Sequence, residues 1–237
     1  MGQIFSVCSG SGGVGKSMVA LSLAVGCAKA GRSTILLDAS GAARSCDLTL
    51  GMESIVVLDV MDVLKDQVSI LSALYPVPRR DHLRFACASL YDNVPVSDLS
   101  GMVLALQTLC DILVIDLPAG QIDVGQGIMQ AGDERLVITR PDDASMRAAE
   151  RLILRASCDM AGTSLIINRL SRERVKRKTQ YDADTVQTVL DRIALACIPE
   201  DPSIAEAEKK GRTAIETDGP ARSALHALVK SLLSSAE

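Results

Sequence analysis

Polar and apolar positions fall in alternating blocks along this chain. Continuous apolar runs at 3–8, 34–38, 83–87, 111–116, 134–139, 163–168 and 194–198 read as buried strands. A strand covered on both faces loses the in–out alternation of a half-exposed sheet. Between the runs lie stretches of helical character at 17–30, 57–66, 97–109, 122–130, 142–157 and 183–191, with a last one at 220–235. Strands that alternate with helices imply right-handed crossovers. The expected fold is therefore α/β, a doubly wound, mostly parallel sheet flanked by helices. Gly31 closes the first helix, and Pro199-Glu200-Asp201-Pro202 stops the last strand. No repeat or linker interrupts the pattern, so residues 1–237 read as one domain.

Composition narrows the picture. The chain is 48% hydrophobic but only 2% aromatic, so the core is aliphatic. A net charge of −4 argues against a general nucleic-acid binder. The one dense basic stretch, Arg169 to Lys178, reads first as a solvated face. Seven cysteines lie at 8, 27, 46, 87, 110, 158 and 197 without metal-ligand spacing, as small core residues in a reducing compartment do. His82 and His226 match no triad or zinc pattern. With no basic-then-apolar leader and no apolar run of bilayer length, the expected location is the cytoplasm.

One segment carries specific chemistry. Gly10-Ser11-Gly12-Gly13-Val14-Gly15-Lys16-Ser17 fits G-x-x-x-x-G-K-[ST], between an expected strand and an expected helix. Such a loop turns backbone N–H groups toward phosphate, aided by the positive end of the following helix. Gly12, Gly13, Val14, Gly15, Lys16, Ser17 and Met18 are thus the expected nucleotide-binding run. Lys16 reaches the outer phosphates and Ser17 ligates Mg²⁺. Ligand sites in these folds lie at the C-terminal ends of strands. The expected strands there end in Asp38, Asp116 and Asn168. Asp116, after four apolar residues, stands where a magnesium-holding acid is expected, with Asp38 a second metal-facing acid. Asn168 either reads an adenine edge or simply ends its strand.

With these residues in place, the chain resembles the MinD branch of the MinD/ParA family of P-loop ATPases. The resemblance rests on Ser9 to Ser17, Arg44 to Gly51 with Val56 to Val60, Asp116 to Gly120, Ile167 to Leu170 with Val175-Lys176, and Ile198 to Asp201. It implies ATP or ADP with Mg²⁺, a sandwich dimer closing on two nucleotides, and a regulatory protein partner. It places an adenine pocket at Asn168 and Arg169 with the Pro199, Glu200 and Asp201 loop. It also puts residues 142–157 near the dimer interface. By analogy alone, the output is the placement of a cell-division, polar or appendage apparatus.

The departures bear on turnover. The family's signature lysine falls at Ser11, and its second switch I aspartate at Ser40. Neither serine replaces the charge it displaces. The last segment, with Leu225, Leu228, Val229 and Leu232, is spaced as a core-packed helix and lacks the basic amphipathic tail of membrane-binding members. The expectation is a nucleotide switch with Lys16 and Asp116 as its catalytic groups and slow hydrolysis. The alternative is a non-hydrolysing scaffold acting through protein contacts. A small-molecule kinase or ligase would show substrate-binding insertions, and a DNA-partitioning protein a broader basic surface. Asp47 is a candidate stand-in for the carboxylate missing at Ser40.

Overall fold

The computed structural model describes residues 1–40, 45–65, 67–88, 96–120, 133–156 and 162–234. Within them, one eight-stranded sheet is built from β1 (Gln3–Cys8), β2 (Thr34–Asp38), β3 (Tyr75–Pro76), β4 (Leu83–Cys87), β5 (Ile112–Asp116), β6 (Glu134–Thr139), β7 (Thr163–Leu170) and β8 (Ala194–Pro199). The strand order is β3-β4-β2-β5-β1-β6-β7-β8, and every pair is parallel except β3 with β4. The helices are α1 (Lys16–Lys29), α2 (Ser45–Leu50), α3 (Val60–Leu64), α4 (Val96–Gln107), α5 (Asp143–Ala156), α6 (Arg172–Lys176), α7 (Ala183–Leu190), α8 (Ser203–Lys209) and α9 (Ala221–Ser234).

The sheet is apolar on both faces, which is why its strands read as unbroken runs. Phe5, Val7, Leu36, Phe85, Val114, Ile138 and Ile166 pack with α1 and α9 on one side. Ile4, Ile35, Leu37, Leu113, Ile115, Val137 and Ile167 pack with α4, α5 and α7 on the other. The doubly wound architecture expected from the pattern is the one observed. Helix α9 buries Leu225, Leu228, Val229 and Leu232 in the α1 face, as their spacing required.

Register positions the chemistry. On adjacent strands β2 and β5, Asp38 pairs with Asp116. Partners in a parallel ladder project to the same side, so the two carboxylates lie together. Val7 of β1 pairs with Asp116 as well, which puts the loop after β1 beside that acid.

The differences from the sequence pattern are local. Strand β3 was not expected: it is two residues long and contains a proline tolerated only at a sheet edge. Helix α3 starts at 60 rather than 57, because the Asp59 side chain caps it while the Val57 and Leu58 N–H groups donate to the Tyr75 hydroxyl. Helices α2, α6 and α8 are five to seven residues long, too short to show a period. The helix expected at 122–130 lies outside the described residues. No helix among them is long and apolar enough to cross a membrane.

Candidate functional site

The loop from Gly10 to Gly15 joins β1 to α1 at the C-terminal edge of the sheet. Gly15 is left-handed, with φ of 93°, and a Cβ on it would stand 2.2 Å from the Asn168 amide nitrogen. Glycine is therefore required there on two separate grounds. Gly12 and Gly13 are exposed, and a Cβ on either would meet nothing within 4 Å. Among the described residues the loop is therefore uncovered at Gly12 and Gly13. Helix α1 has no acidic residue in its first turn and no side-chain cap, so its positive end is left for an anion.

Behind this loop sits a buried charged cluster. Lys16 forms an ion pair with Asp116 Oδ1, and both side chains are nearly or fully buried. Burial pushes the Asp116 carboxyl up, Lys16 pulls it down and neighbouring Asp38 raises it again, while hydrogen bonds from Lys16 and Ser17 lower it. The net direction is upward: one ammonium does not fully compensate two buried carboxylates. Asp38 is held by three donors. Ser40 gives its N–H (2.9 Å) and hydroxyl (2.5 Å) to Oδ1, and Cys46 gives its N–H (3.2 Å) to Oδ2. The set of Ser17, Asp38 and Asp116, buried carboxylates beside a hydroxyl, fits a hard divalent cation. Ser40 thus braces Asp38 through both its N–H and its hydroxyl.

The sequence did not point to Cys46. Its thiol lies 3.7 Å from Asp116 Oδ2, and burial followed by Asp38 and Asp116 pushes it well above the ordinary thiol range. Asp47 is buried on the same helix, yet the side chain brought to the two carboxylates is Cys46. No spacing motif could reveal this, because the six-residue helix that aims Cys46 inward has no periodic signal.

A second group assembles beside the loop. Gly15, Met18, Asn168, Arg169, Pro199 and Glu200 line one cavity of about 300 Å³, together with Asp201, Ala205 and Glu208. Seven of the residues singled out from sequence line it, Asp201 included, drawn from three separate segments. Asn168 is buried, donating its amide to the Val14 carbonyl (2.7 Å) and accepting from the Arg169 N–H (2.9 Å). It therefore braces the phosphate loop, a role the sequence did not suggest. Asp201 accepts from Ser203 at the start of α8 and from the Ala221 N–H at the start of α9, fastening the cavity wall to the last helix. Ser11 lies on the loop rim, half-buried, its carbonyl bonded by the Ser9 hydroxyl. The basic stretch forms exposed α6, where Arg174 pairs with Glu200 and Arg177 with Glu173. At the start of α5, Asp142 caps the helix through Ser145 and Asp143 accepts from the Tyr181 hydroxyl.

The chain is similar to known proteins over nearly its whole length. The ParA family model, described as NUBPL iron-transfer P-loop NTPase, matches residues 1–233. The chain is 30% identical over 244 residues to the septum site-determining protein MinD of Helicobacter pylori, covering 98% of this chain and 91% of that one. Among solved structures it superposes on the MinC:MinD cell division protein complex of Aquifex aeolicus with TM-score 0.90, at 26% identity over 98% and 96% of the two chains. The fold is also that of the MinD protein of Pyrococcus horikoshii solved with Mg-ADP, with TM-score 0.87, 24% identity, and coverage of 100% and 98%.

Proposed function

This chain belongs to the ParA/MinD family of P-loop NTPases, and from that membership we infer that it is a nucleotide-dependent switch that turns ATP over slowly. The observation that carries the reading is the convergence of Lys16, Ser17, Asp38 and Asp116 behind an open glycine loop. Phosphates would take the N–H groups of residues 12–17 and draw Lys16 off Asp116. Ser17, Asp38 and Asp116 would hold Mg²⁺, directly or through water. That cation supplies charge neutralisation for the phosphates when bound. The 300 Å³ cavity would receive the base, against Arg169 and Pro199, with Asn168 offering its remaining amide hydrogen.

Turnover is where the residues speak against full activity. Ser11 brings no cation to the phosphates. Ser40 donates its hydroxyl to Asp38 and, being neutral, offers no carboxylate to orient a water. Family relatives named for septum-site determination, and the MinC:MinD complex, support an output through a protein partner and a role in placing division machinery. Iron carriage, named in the family model's description, finds no support here. The sequence has no Cys-x-x-Cys pair, and the one ligand cluster among the described residues contains a single cysteine.

The test is light-scattering mass and phosphate release followed in one sample with Mg²⁺ and ATP. An ATP-dependent dimer releasing phosphate slowly is expected, with Ser40→Asp raising the rate about tenfold or more. Unchanged turnover in Ser11→Lys with Ser40→Asp would refute the claim that these two positions limit hydrolysis. The second reading, a nucleotide-stabilised scaffold, is favoured by the same two serines. It predicts ATP binding by a monomer with no phosphate released.

A further inference from the structure

Nucleotide binding leaves one inward-facing group of the site without a task. Cys46 is fully buried, its N–H on Asp38 and its thiol toward Asp116. Donor atoms of Asp38, Cys46 and Asp116 all lie within 4.8 Å of one another. Asp38 and Asp116 are buried side by side, and among the described residues the Lys16 ammonium is bonded to Asp116. A surplus of buried negative charge is costly, and a bound cation relieves it.

The donor set says which kind of cation. Magnesium is held by oxygen alone, whereas a sulfur among oxygens suits borderline and soft ions. The spacing agrees. An ion about 2.3 Å from sulfur and about 2.1 Å from a carboxylate oxygen spans the 3.7 Å between Cys46 Sγ and Asp116 Oδ2 at roughly 114°, close to the tetrahedral angle. Lys16 occupies Oδ1, which leaves Oδ2 as the oxygen facing the thiol.

We propose that Asp38, Cys46 and Asp116 form a mixed sulfur–oxygen site for a thiophilic divalent cation of the Zn²⁺ class, overlapping the magnesium position. This deepens the nucleotide-site reading, since both aspartates serve both ions. On binding, the Cys46 S–H bond is replaced by a sulfur–metal bond and the proton passes to solvent; no electron moves.

The experiment titrates Co²⁺ into the full chain without nucleotide and reads the near-ultraviolet thiolate-to-cobalt charge-transfer band. A saturable band at one equivalent is expected, displaced by Zn²⁺ or Cd²⁺ but not by equal Mg²⁺. Cys46→Ser removes it and weakens Co²⁺ binding at least tenfold, while Cys197→Ser, at a partly exposed cysteine of β8, keeps it. No band in the wild-type protein, or a band that survives Cys46→Ser, overturns the proposal. X-ray absorption of the zinc-loaded wild-type chain decides independently of any variant: one sulfur ligand supports the site, and a shell of nitrogen and oxygen alone refutes it. Fluorescent-ADP binding with Mg²⁺ is measured in parallel. Lost nucleotide binding with an intact band overturns only the switch reading, and the reverse overturns only this one.

Discussion

The two ends of α1 are built on opposite plans. Its first residue, Lys16, places a cation at the positive end of the helix, and there it pairs with a buried aspartate whose carboxyl is pushed upward. Its last residue, Lys29, sits at the negative end, where a cation is favoured. There Lys29 lies 3.0 Å from Glu216 Oε1, Arg80 lies 2.9 Å from Oε2, and the Thr213 N–H donates as well. Burial pushes Glu216 up, but Arg80, Thr213 and Lys29 outweigh it and hold the carboxyl at about 2. Two acids beside cations thus shift in opposite directions. At the C-terminal end the chain answers its own charges, and at the N-terminal end it leaves room for a ligand to answer them.

The contrast is tested most strongly at the glycines that flank the helix. Both Gly15 and Gly31 are left-handed, but only Gly15 also has a neighbour, Asn168, in the way of a Cβ. Gly15→Ala should lose about 2–4 kcal/mol, combining strain and overpacking. Gly31→Ala should lose only about 1–2 kcal/mol. Chemical denaturation measures both. A hundredfold excess of Mg-ADP over its Kd should add about 2.7 kcal/mol to the wild type and to Gly31→Ala, and nothing to Gly15→Ala. Equal losses at both glycines would show that the Asn168 contact does not matter.

A smaller effect is expected at the self-satisfied end. Glu216→Gln should cost about 2 kcal/mol at neutral pH, after allowing for the partial exposure of the cluster. The sign follows from a folded value of about 2 against an ordinary 4.5. The contribution is complete above pH 4.5 and is lost as pH falls from there toward 2. Denaturant midpoints at pH 7, 4 and 3 should therefore converge for variant and wild type on acidification. A gap independent of pH would assign the loss to packing and not to charge.

Much of this was legible in the chain, and for a physical reason. Long elements buried on two faces write themselves as apolar runs, so β1, β2, β4 and β6 begin and end where the pattern says. The phosphate loop was legible because glycine is forced by backbone geometry at Gly15 and because Lys16 and Ser17 follow at fixed spacing. What stayed hidden depends on contacts distant in sequence. The pairing of Asp38 with Asp116 is set by sheet register, the bracing of Val14 by Asn168 joins β7 to the loop, and Cys46 turns inward on a helix of under two turns. Glu216 closes a capping box begun by Thr213, but its pairing with Arg80 and Lys29 follows no motif, since it joins segments distant in sequence at the end of α1.

The smallest effect is the sharpest check on the comparison. Asp116→Asn removes a charge from the most buried position of the site. Because the Asp116 carboxyl is raised, the folded protein holds that proton more tightly than the unfolded chain does. Its contribution to stability therefore declines as pH rises above the ordinary carboxylate range. Neutralising it relieves that cost while forfeiting the pair with Lys16, and the two changes oppose each other. Stripping one partner from a buried pair ordinarily costs about 3–5 kcal/mol. Here Asp38 remains beside the vacated position and the lost carboxylate was itself disfavoured by burial, so the net change at pH 7 should stay below about 1 kcal/mol. Mg²⁺ should nevertheless cease to tighten nucleotide binding. A loss as large as that of Glu216→Gln would place Asp116 among the structural charges, and the two ends of α1 would no longer differ in kind.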